Sequence, residues 1–339
     1  MIVEADTVVG RLVAAVLGER LAQDVLQVLE PMVPGEAADA QVSRADFAAA
    51  LNVLLFADLL ERVPGARLYV EDVKSEGRKV CFDHGAIRTI RFAAGDTGAL
   101  PAGELAFRRI LEPLGYEDAA LYPLPALRMT GRAYRHRDFP ETIPQFFVSE
   151  LHVDQFDAAF GDTCARVFGA SREPLDAGAK AALARFAAGE TLTLDEAAKA
   201  LPSVVAAFDR QHDEPQLADY EHLKEASKEA AWIATEGNAF NHATDRVADV
   251  DALAEVQRAL GRAMKDKVEV SKNGRVRQTA YRADMVERRF RRGEGVEARI
   301  VPGSFYEFIS RDVDPETGRL DLSFDSGNAT GIFHMTKSA

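Results

Sequence analysis

The sequence predicts an α+β fold: two related α+β units, with helices ahead of the first and a helical insertion between them. Three observations carry this. Apolar residues recur at helical spacing near the start, an Ala-, Glu- and Lys-rich helical stretch separates two strand-rich portions, and those portions share a short repeat. The expected organisation is one catalytic domain over 1–339, with N-terminal helices over 1–62 and a first α+β module over 63–155. A helical insertion over 156–236 and a second α+β module over 237–339 complete it.

Taken in order, residues 8–29 and 44–61 read as helices, the second capped by Ser43. Residues 67–73 and 79–90 are rich in β-branched and aromatic residues and read as strands. An amphipathic helix follows over 103–114, stopped by Gly115, and further strands are expected within 122–135 and 145–153. Residues 156–234 have helical periodicity, as in 179–186 and 194–201. Strand texture returns at Gly237 and persists, apart from a helix over 250–260.

Composition narrows the function. With 339 residues, 47% hydrophobic and 28% charged, the chain can bury a substantial core. No stretch approaches the roughly 18 apolar residues of a membrane span. Glu4 and Asp6 stand where a signal peptide would carry positive charge, so the start reads as a mature amphipathic helix. Cys81 and Cys164 match no metal or redox spacing and read as reduced thiols, which suits a cytoplasmic protein. The net charge of −13 argues against non-specific nucleic-acid binding. The arginine-rich run 275–299 is the local exception, and a solvated face accounts for it better than a polyanion site.

The repeat points at chemistry. Phe82-Asp83-His84-Gly85-Ala86-Ile87-Arg88 and Phe240-Asn241-His242-Ala243-Thr244-Asp245-Arg246 share the pattern Phe-(Asp/Asn)-His-x-x-x-Arg. Each precedes a helix ending in Leu-Gly, at Leu114-Gly115 and Leu260-Gly261. Side chains alternate along a strand, so His84 shares a face with Ala86 and Arg88, and His242 with Thr244 and Arg246. Such strands offer a metal ligand beside an anion clamp. A carboxylate would complete the set, because two imidazoles and one carboxylate leave open positions for substrate and dioxygen, as in non-haem Fe(II) oxygenases. Glu307, between Tyr306 and Phe308, is the candidate; a partner of Arg311 and an edge-strand solvent group are the other readings, and the cost of burying an acid without a partner favours the ligand or the ion pair.

Glu150-Leu151-His152-Val153-Asp154 competes, with three donors on one strand face, and Glu150 also reads as the first unit's counterpart of Glu307. His136, His212, His222 and His334 read as solvated or hydrogen-bonded histidines, His212 and His222 as surface residues. Two further readings stay open. One is a metal-dependent isomerase or lyase in which the metal is a Lewis acid; the other is a non-catalytic small-molecule-binding protein with both histidines in the core.

The segments Asp83-His84-Gly85-Ala86-Ile87-Arg88-Thr89, Gly237-Asn238-Ala239-Phe240-Asn241-His242 and Tyr306-Glu307-Phe308 resemble the signatures of the 2-oxoadipate dioxygenase/decarboxylase (hydroxyglutarate synthase) family of the vicinal-oxygen-chelate, or glyoxalase, superfamily. The resemblance runs over most of the chain, to Ala329-Thr330-Gly331-Ile332-Phe333. It implies paired βαβββ modules around a half-open barrel. It also implies His84, His242 and Glu307 as metal ligands, Fe(II) as cofactor (with Zn, Mn or Ni able to replace it in a purified sample) and Arg88 as a substrate-binding arginine. Apart from the resemblance, Arg246 reads as a second anion contact or as a partner of Asp245. The reaction implied is 2-oxoadipate and O2 to 2-hydroxyglutarate and CO2, in lysine breakdown. The resemblance departs from longer members in the short link 312–318 before Asp325-Ser326-Gly327-Asn328-Ala329-Thr330, where Asn328 stands as a substrate contact; this bears on which 2-oxo acid fits.

Overall fold

The computed structural model describes residues 6–35 and 41–324. Thr7 caps α1 (Val8–Leu17) by accepting from Gly10 N–H at 3.0 Å. The helix expected over 8–29 is broken by Gly18, whose φ of +80° lies in the region that favours glycine, and α2 (Glu19–Val28) follows. Ser43 caps α3 (Arg44–Arg62) as expected, in a reciprocal capping box with Asp46.

The strand expected over 67–73 is instead α4 (Pro64–Ser75). Pro64 starts it, and the buried residues Ala66, Tyr69, Val70 and Val73 fall at helical spacing. Local β propensity lost to this period: the apolar stripe packs Tyr69 against Tyr306 and Phe308 at ring separations of 5.5 and 4.8 Å.

The first unit then runs β1 (Phe82–Arg91), α5 (Leu105–Leu111), β2 (Tyr116–Leu124), β3 (Met129–His136) and β4 (Gln145–His152). The insertion consists of α6 (Ala158–Phe168), α7 (Ala177–Ala187), α8 (Leu194–Ala206), α9 (Leu217–Ala226) and α10 (Lys228–Glu236). The second unit runs β5 (His242–Arg246), α11 (Val250–Ala259), β6 (Glu269–Val270), β7 (Val276–Ala280), β8 (Met285–Arg292), β9 (Gly295–Pro302) and β10 (Phe305–Arg311).

Eight strands form one curled half-barrel sheet in the order β2-β3-β4-β1-β5-β10-β7-β6, while β8 and β9 pair with each other as a separate hairpin. The order is a palindrome of the two units. In each, the first strand pairs parallel with the last, β1 with β4 and β5 with β10, and the two first strands meet antiparallel at the centre.

Helix α3 lies against the outer face at this seam. Phe56 meets Phe82 and Tyr306 at ring separations of 5.2 and 6.3 Å, and Asn52 Nδ2 donates to Tyr116 Oη at 2.8 Å. Burying each such phenylalanine stabilises the fold by roughly 1.5–3 kcal/mol, so one helix pins strands of both units.

The inner face is partly roofed by the insertion. Ile90, Met129 and Leu151 share a buried cluster with Phe160, Trp232 and Ile233, and with Phe290 and Val301 of the hairpin. The arginine-rich hairpin is balanced locally, as a solvated face requires. Arg288 pairs with Glu236 at 2.7 Å, Arg291 with Asp213 at 2.9 Å and Arg289 with Glu214 at 3.5 Å, while Arg292 and Arg299 both reach Glu297.

Candidate metal centre

Register brings the three candidate ligands together. Across the seam His84 pairs with Thr244 and Ala86 with His242; across the next ladder Thr244 pairs with Glu307 and His242 with Phe305. Paired residues on adjacent strands point to one face. Two transverse rows result on the inner face. One reads Gln145, His84, Thr244, Glu307 over β4, β1, β5 and β10. The other, in the opposite direction, reads Phe305, His242, Ala86, Phe147 over β10, β5, β1 and β4.

His84, His242 and Glu307 each present a ligand atom within 4.8 Å of the others, and all three are buried. Glu307 Oε2 lies 3.2 Å from His84 Nε2 and 3.5 Å from His242 Nε2. Burial opposes ionisation of Glu307, but the two histidines and the Thr244 hydroxyl, which donates to Oε2 at 2.8 Å, outweigh it and hold the carboxyl below its usual range. Burial depresses the His242 imidazole to about 3, so it is neutral near pH 7. Its Nε2 is buried and has no hydrogen-bond partner among the described residues. A buried acceptor left open in this way fits a cation at the centre of the three donors. Two imidazoles and a carboxylate are a donor set that suits a divalent first-row metal.

Partners behind the ligands fix their orientation. Asp83 sits where β1 gains a residue against β5, and the bulge brings its Oδ1 within 2.8 Å of His84 Nδ1. Burial alone would raise the Asp83 pKa, but Arg311 and His84 hold it far below the ordinary carboxylate range. For His84, burial is outweighed by Asp83 and Glu307, and its pKa is raised. Arg311 donates from Nε and Nη2 to Asp83 at 2.9 Å each, so it partners Asp83 and not Glu307. In the second unit the equivalent partner is neutral: Asn241 Oδ1 lies 3.3 Å from His242 Nδ1. Such outer partners fix tautomer and ring orientation. The repeated Asp/Asn before each histidine was the sequence signal for them, and it goes unread without the bulge.

Arg88 follows on the same strand face as His84. It is buried, its guanidinium 5.1 Å from the Trp232 ring centre, and burial lowers its pKa to about 10, with Glu229 pulling the other way, so it remains charged near pH 7. Ala86, two residues before Arg88 on the same face, pairs with His242 across the seam, so both side chains belong to the inner face. Arg246 has other commitments: Nη2 donates to Cys81 Sγ at 3.1 Å and to Glu141 O at 2.9 Å, and Nη1 lies 3.8 Å from Asp83. Asn328 lies outside the described residues.

The segment 321–324 crosses the inner face. Arg311 Nη1 donates to Asp321 O and Ser323 O, both at 2.8 Å, and Phe324 N–H donates to Tyr122 Oη at 3.0 Å. The Phe324 ring then stands edge-on to His84 at 4.8 Å, while Phe305 stacks on His242 at 4.8 Å. These aromatic covers, and Trp232 under Arg88, have no local sequence signal.

The competing triple does not converge. Glu150 pairs with Thr89 and so faces the other side of the sheet, where it accepts from Arg91 Nη1 and Glu104 N–H; His152 bonds Thr130 at 2.8 Å, and Asp154 is exposed. By register the counterpart of Glu307 is Phe147, which stands to Ala86 as Glu307 stands to Thr244. The expectation that Glu150 plays that part fails by strand parity. His212 is buried rather than at the surface, with Nε2 3.1 Å from Ala234 O and its ring edge-on to Phe168. His136 is buried too, between Leu114 O at Nε2 and the N–H groups of Asp138 and Phe139 at Nδ1.

No helix among the described residues is long and apolar enough to cross a membrane. In structure, the chain is similar to a protein assigned to the glyoxalase superfamily from Ralstonia eutropha JMP134, at 51% identity and a TM-score of 0.89 over 94% of this chain and 98% of that one. It shares its fold with a hydroxyglutarate synthase from Oryza sativa solved with 2-oxoadipate, at 22% identity and a TM-score of 0.66 over 90% and 98% of the two chains. In sequence, it is 26% identical over 311 residues to a chloroplastic 2-oxoadipate dioxygenase/decarboxylase of Arabidopsis thaliana, covering 82% of this chain and 74% of that protein. The model of the 2-oxoadipate dioxygenase/decarboxylase family matches residues 53–320, a span that contains every candidate ligand and Arg88. The chain belongs to the 2-oxoadipate dioxygenase/decarboxylase family.

Proposed function

We propose that this protein is an Fe(II)-dependent dioxygenase/decarboxylase of a 2-oxo dicarboxylic acid, converting 2-oxoadipate and O2 to 2-hydroxyglutarate and CO2. The observation that carries the reading is the buried set His84, His242 and Glu307 with the open Nε2 of His242, in a member of this family. The relative from Oryza sativa, solved with 2-oxoadipate, supports the substrate class. A place in lysine breakdown and in the cytoplasm belongs to the same proposal; the two free cysteines, Cys81 and Cys164, are compatible with a reducing compartment.

His84, His242 and Glu307 would hold the metal. Once bound, Fe(II) supplies a Lewis-acid and redox centre for a 2-oxo carboxylate and O2. The chain's residues do the rest. Asp83 accepts the Nδ1 proton of His84 and leaves Nε2 free to ligate. Thr244 donates to Glu307 Oε2 and fixes the carboxylate between the imidazoles. Arg88, charged and buried against the Trp232 ring, binds the distal carboxylate of the substrate and sets the chain length that fits. Phe324 and Phe305 keep water from the histidines.

The test is anaerobic reconstitution with Fe(II), followed by simultaneous O2 uptake and CO2 release with 2-oxoadipate. Equal amounts of both, and loss of both in His84→Ala, are expected. Turnover with Zn(II) in the absence of O2 would overturn the reading in favour of non-redox chemistry.

A further inference from the structure

The two rows on the inner face are related by the pseudo-two-fold between the units. Residue for residue, Gln145, His84, Thr244 and Glu307 correspond to Phe305, His242, Ala86 and Phe147. Glu307 reaches both imidazoles from its position. The same relation makes position 147 the one from which a carboxylate of the other unit could approach both imidazoles. What stands there has no donor at all. Phe147 clusters with Ala86, Ala133, Tyr122 and Phe324, and the Phe324 ring is 5.0 Å from it and 4.8 Å from His84. The tip of the ring lies over Gly131 of β3, where a Cβ would come within 2.5 Å of Phe147 Cζ. That close approach requires the absence of a side chain on β3.

We infer that Phe147 is a specificity-determining residue: it keeps the fourth, symmetry-equivalent ligand position empty, so that the metal retains room for two reactants at once. The inference rests on His84, His242 and Glu307 being the ligands. A six-coordinate metal with three protein ligands has three positions left, two for a chelating 2-oxo carboxylate and one for the second reactant. A fourth protein ligand would leave two, enough for the 2-oxo acid or for the second reactant beside a single-point contact, but not for both in full. Phe147 therefore separates chemistry that needs two reactants at the metal from isomerase or lyase chemistry that needs one. The aromatic ring has a second effect: it makes this side of the site apolar, suited to the methylenes of a dicarboxylic acid whose far end reaches Arg88.

Metal binding, read apart from turnover by anaerobic titration with Co(II) and its visible absorption, tests this. Phe147→Glu should bind Co(II) at least about tenfold more tightly, since even outer partners of a metal site change affinity 10–100-fold, and its O2 uptake with a 2-oxo acid should fall about a hundredfold or more. Phe147→Ala should leave Co(II) affinity within about twofold of the unsubstituted protein, because no donor is added. The exchange variant Phe147→Glu/Glu307→Phe should regain Co(II) binding that Glu307→Phe alone loses. If Phe147→Glu unfolds, Phe147→His supplies a donor on a ring of similar shape and carries the same expectation. Unchanged Co(II) affinity and spectrum in a folded Phe147→Glu or Phe147→His protein would overturn the inference while leaving the three-ligand reading in place. Undiminished binding by Glu307→Phe would overturn that reading, and the inference with it.

Discussion

Around β1 the first unit sets His84 beside a charged partner, Asp83, with Ala86 and Phe147 filling the rest of its share of the inner face. Around β5 the second unit sets His242 beside a neutral partner, Asn241, and contributes Thr244 and Glu307. The backbone plan is the same and the chemistry is divided. One unit supplies the stronger outer partner and the cationic Arg88; the other supplies the buried carboxyl of Glu307 and the hydroxyl that donates to it. Duplication of the fold therefore gives two imidazoles at a seam, and divergence gives a site with one protein carboxylate and one apolar side. Under the proposed function, that asymmetry would let a bound metal take up a chelating substrate and keep one further position.

Removing an imidazole from either unit is the severest break. His84→Ala and His242→Ala should each abolish metal retention and lower O2 uptake by about a thousandfold or more, with no large difference between the two, because each supplies one ligand. Arg88→Ala comes next. Truncating one partner of a buried charge contact costs about 2–5 kcal/mol, so KM for a 2-oxo dicarboxylic acid should rise at least about 30-fold while metal content stays near one per chain. Retained affinity in a substrate titration would remove Arg88 from the site.

The outer partners sharpen the comparison. Asp83→Asn should weaken metal binding about 10–100-fold and lower Tm, because Arg311 loses a carboxylate that it contacts at 2.9 Å. Asn241→Ala, the same position in the other unit, should cost less than about tenfold in metal affinity and little in Tm. Equal effects on metal titration would show that the charge difference between the units has no consequence.

A milder effect comes from the buried histidines outside the site. Burial lowers His136 and His212 to about 4. Both stay neutral in the folded protein while the unfolded chain takes up protons below about pH 6.5. The contribution of these two to stability should therefore fall as pH drops from about 6.5 to about 4 and level off below, by at most about 1.4 kcal/mol per pH unit for each histidine. His212→Gln should flatten part of that slope in denaturant unfolding at a series of pH values.

The repeat was legible because a duplicated strand keeps its Phe-(Asp/Asn)-His-x-x-x-Arg spacing, and strand parity alone places His84 with Arg88 and His242 with Thr244. Parity within a strand does not give register between strands, so it could not tell that Thr244 joins His84 to Glu307 or that Phe147, not Glu150, mirrors Glu307. The bulge at Asp83 and the return of 321–324 over the inner face are tertiary, and with them went the roles of Arg311 and Phe324. Helix α4 was misread because Tyr69, Val70 and Val73 have strand propensity, while the stripe they form with Ala66 has helical period. Arg246 looked like a twin of Arg88, yet the two units turn their arginines to different partners.

The most direct test of the divided site is anaerobic Fe(II) titration of the unsubstituted protein beside Glu307→Ala and Phe147→Ala. A divided site predicts one Fe(II) per chain in the unsubstituted protein and in Phe147→Ala, and none retained by Glu307→Ala. Full Fe(II) binding by a folded Glu307→Ala protein would contradict it.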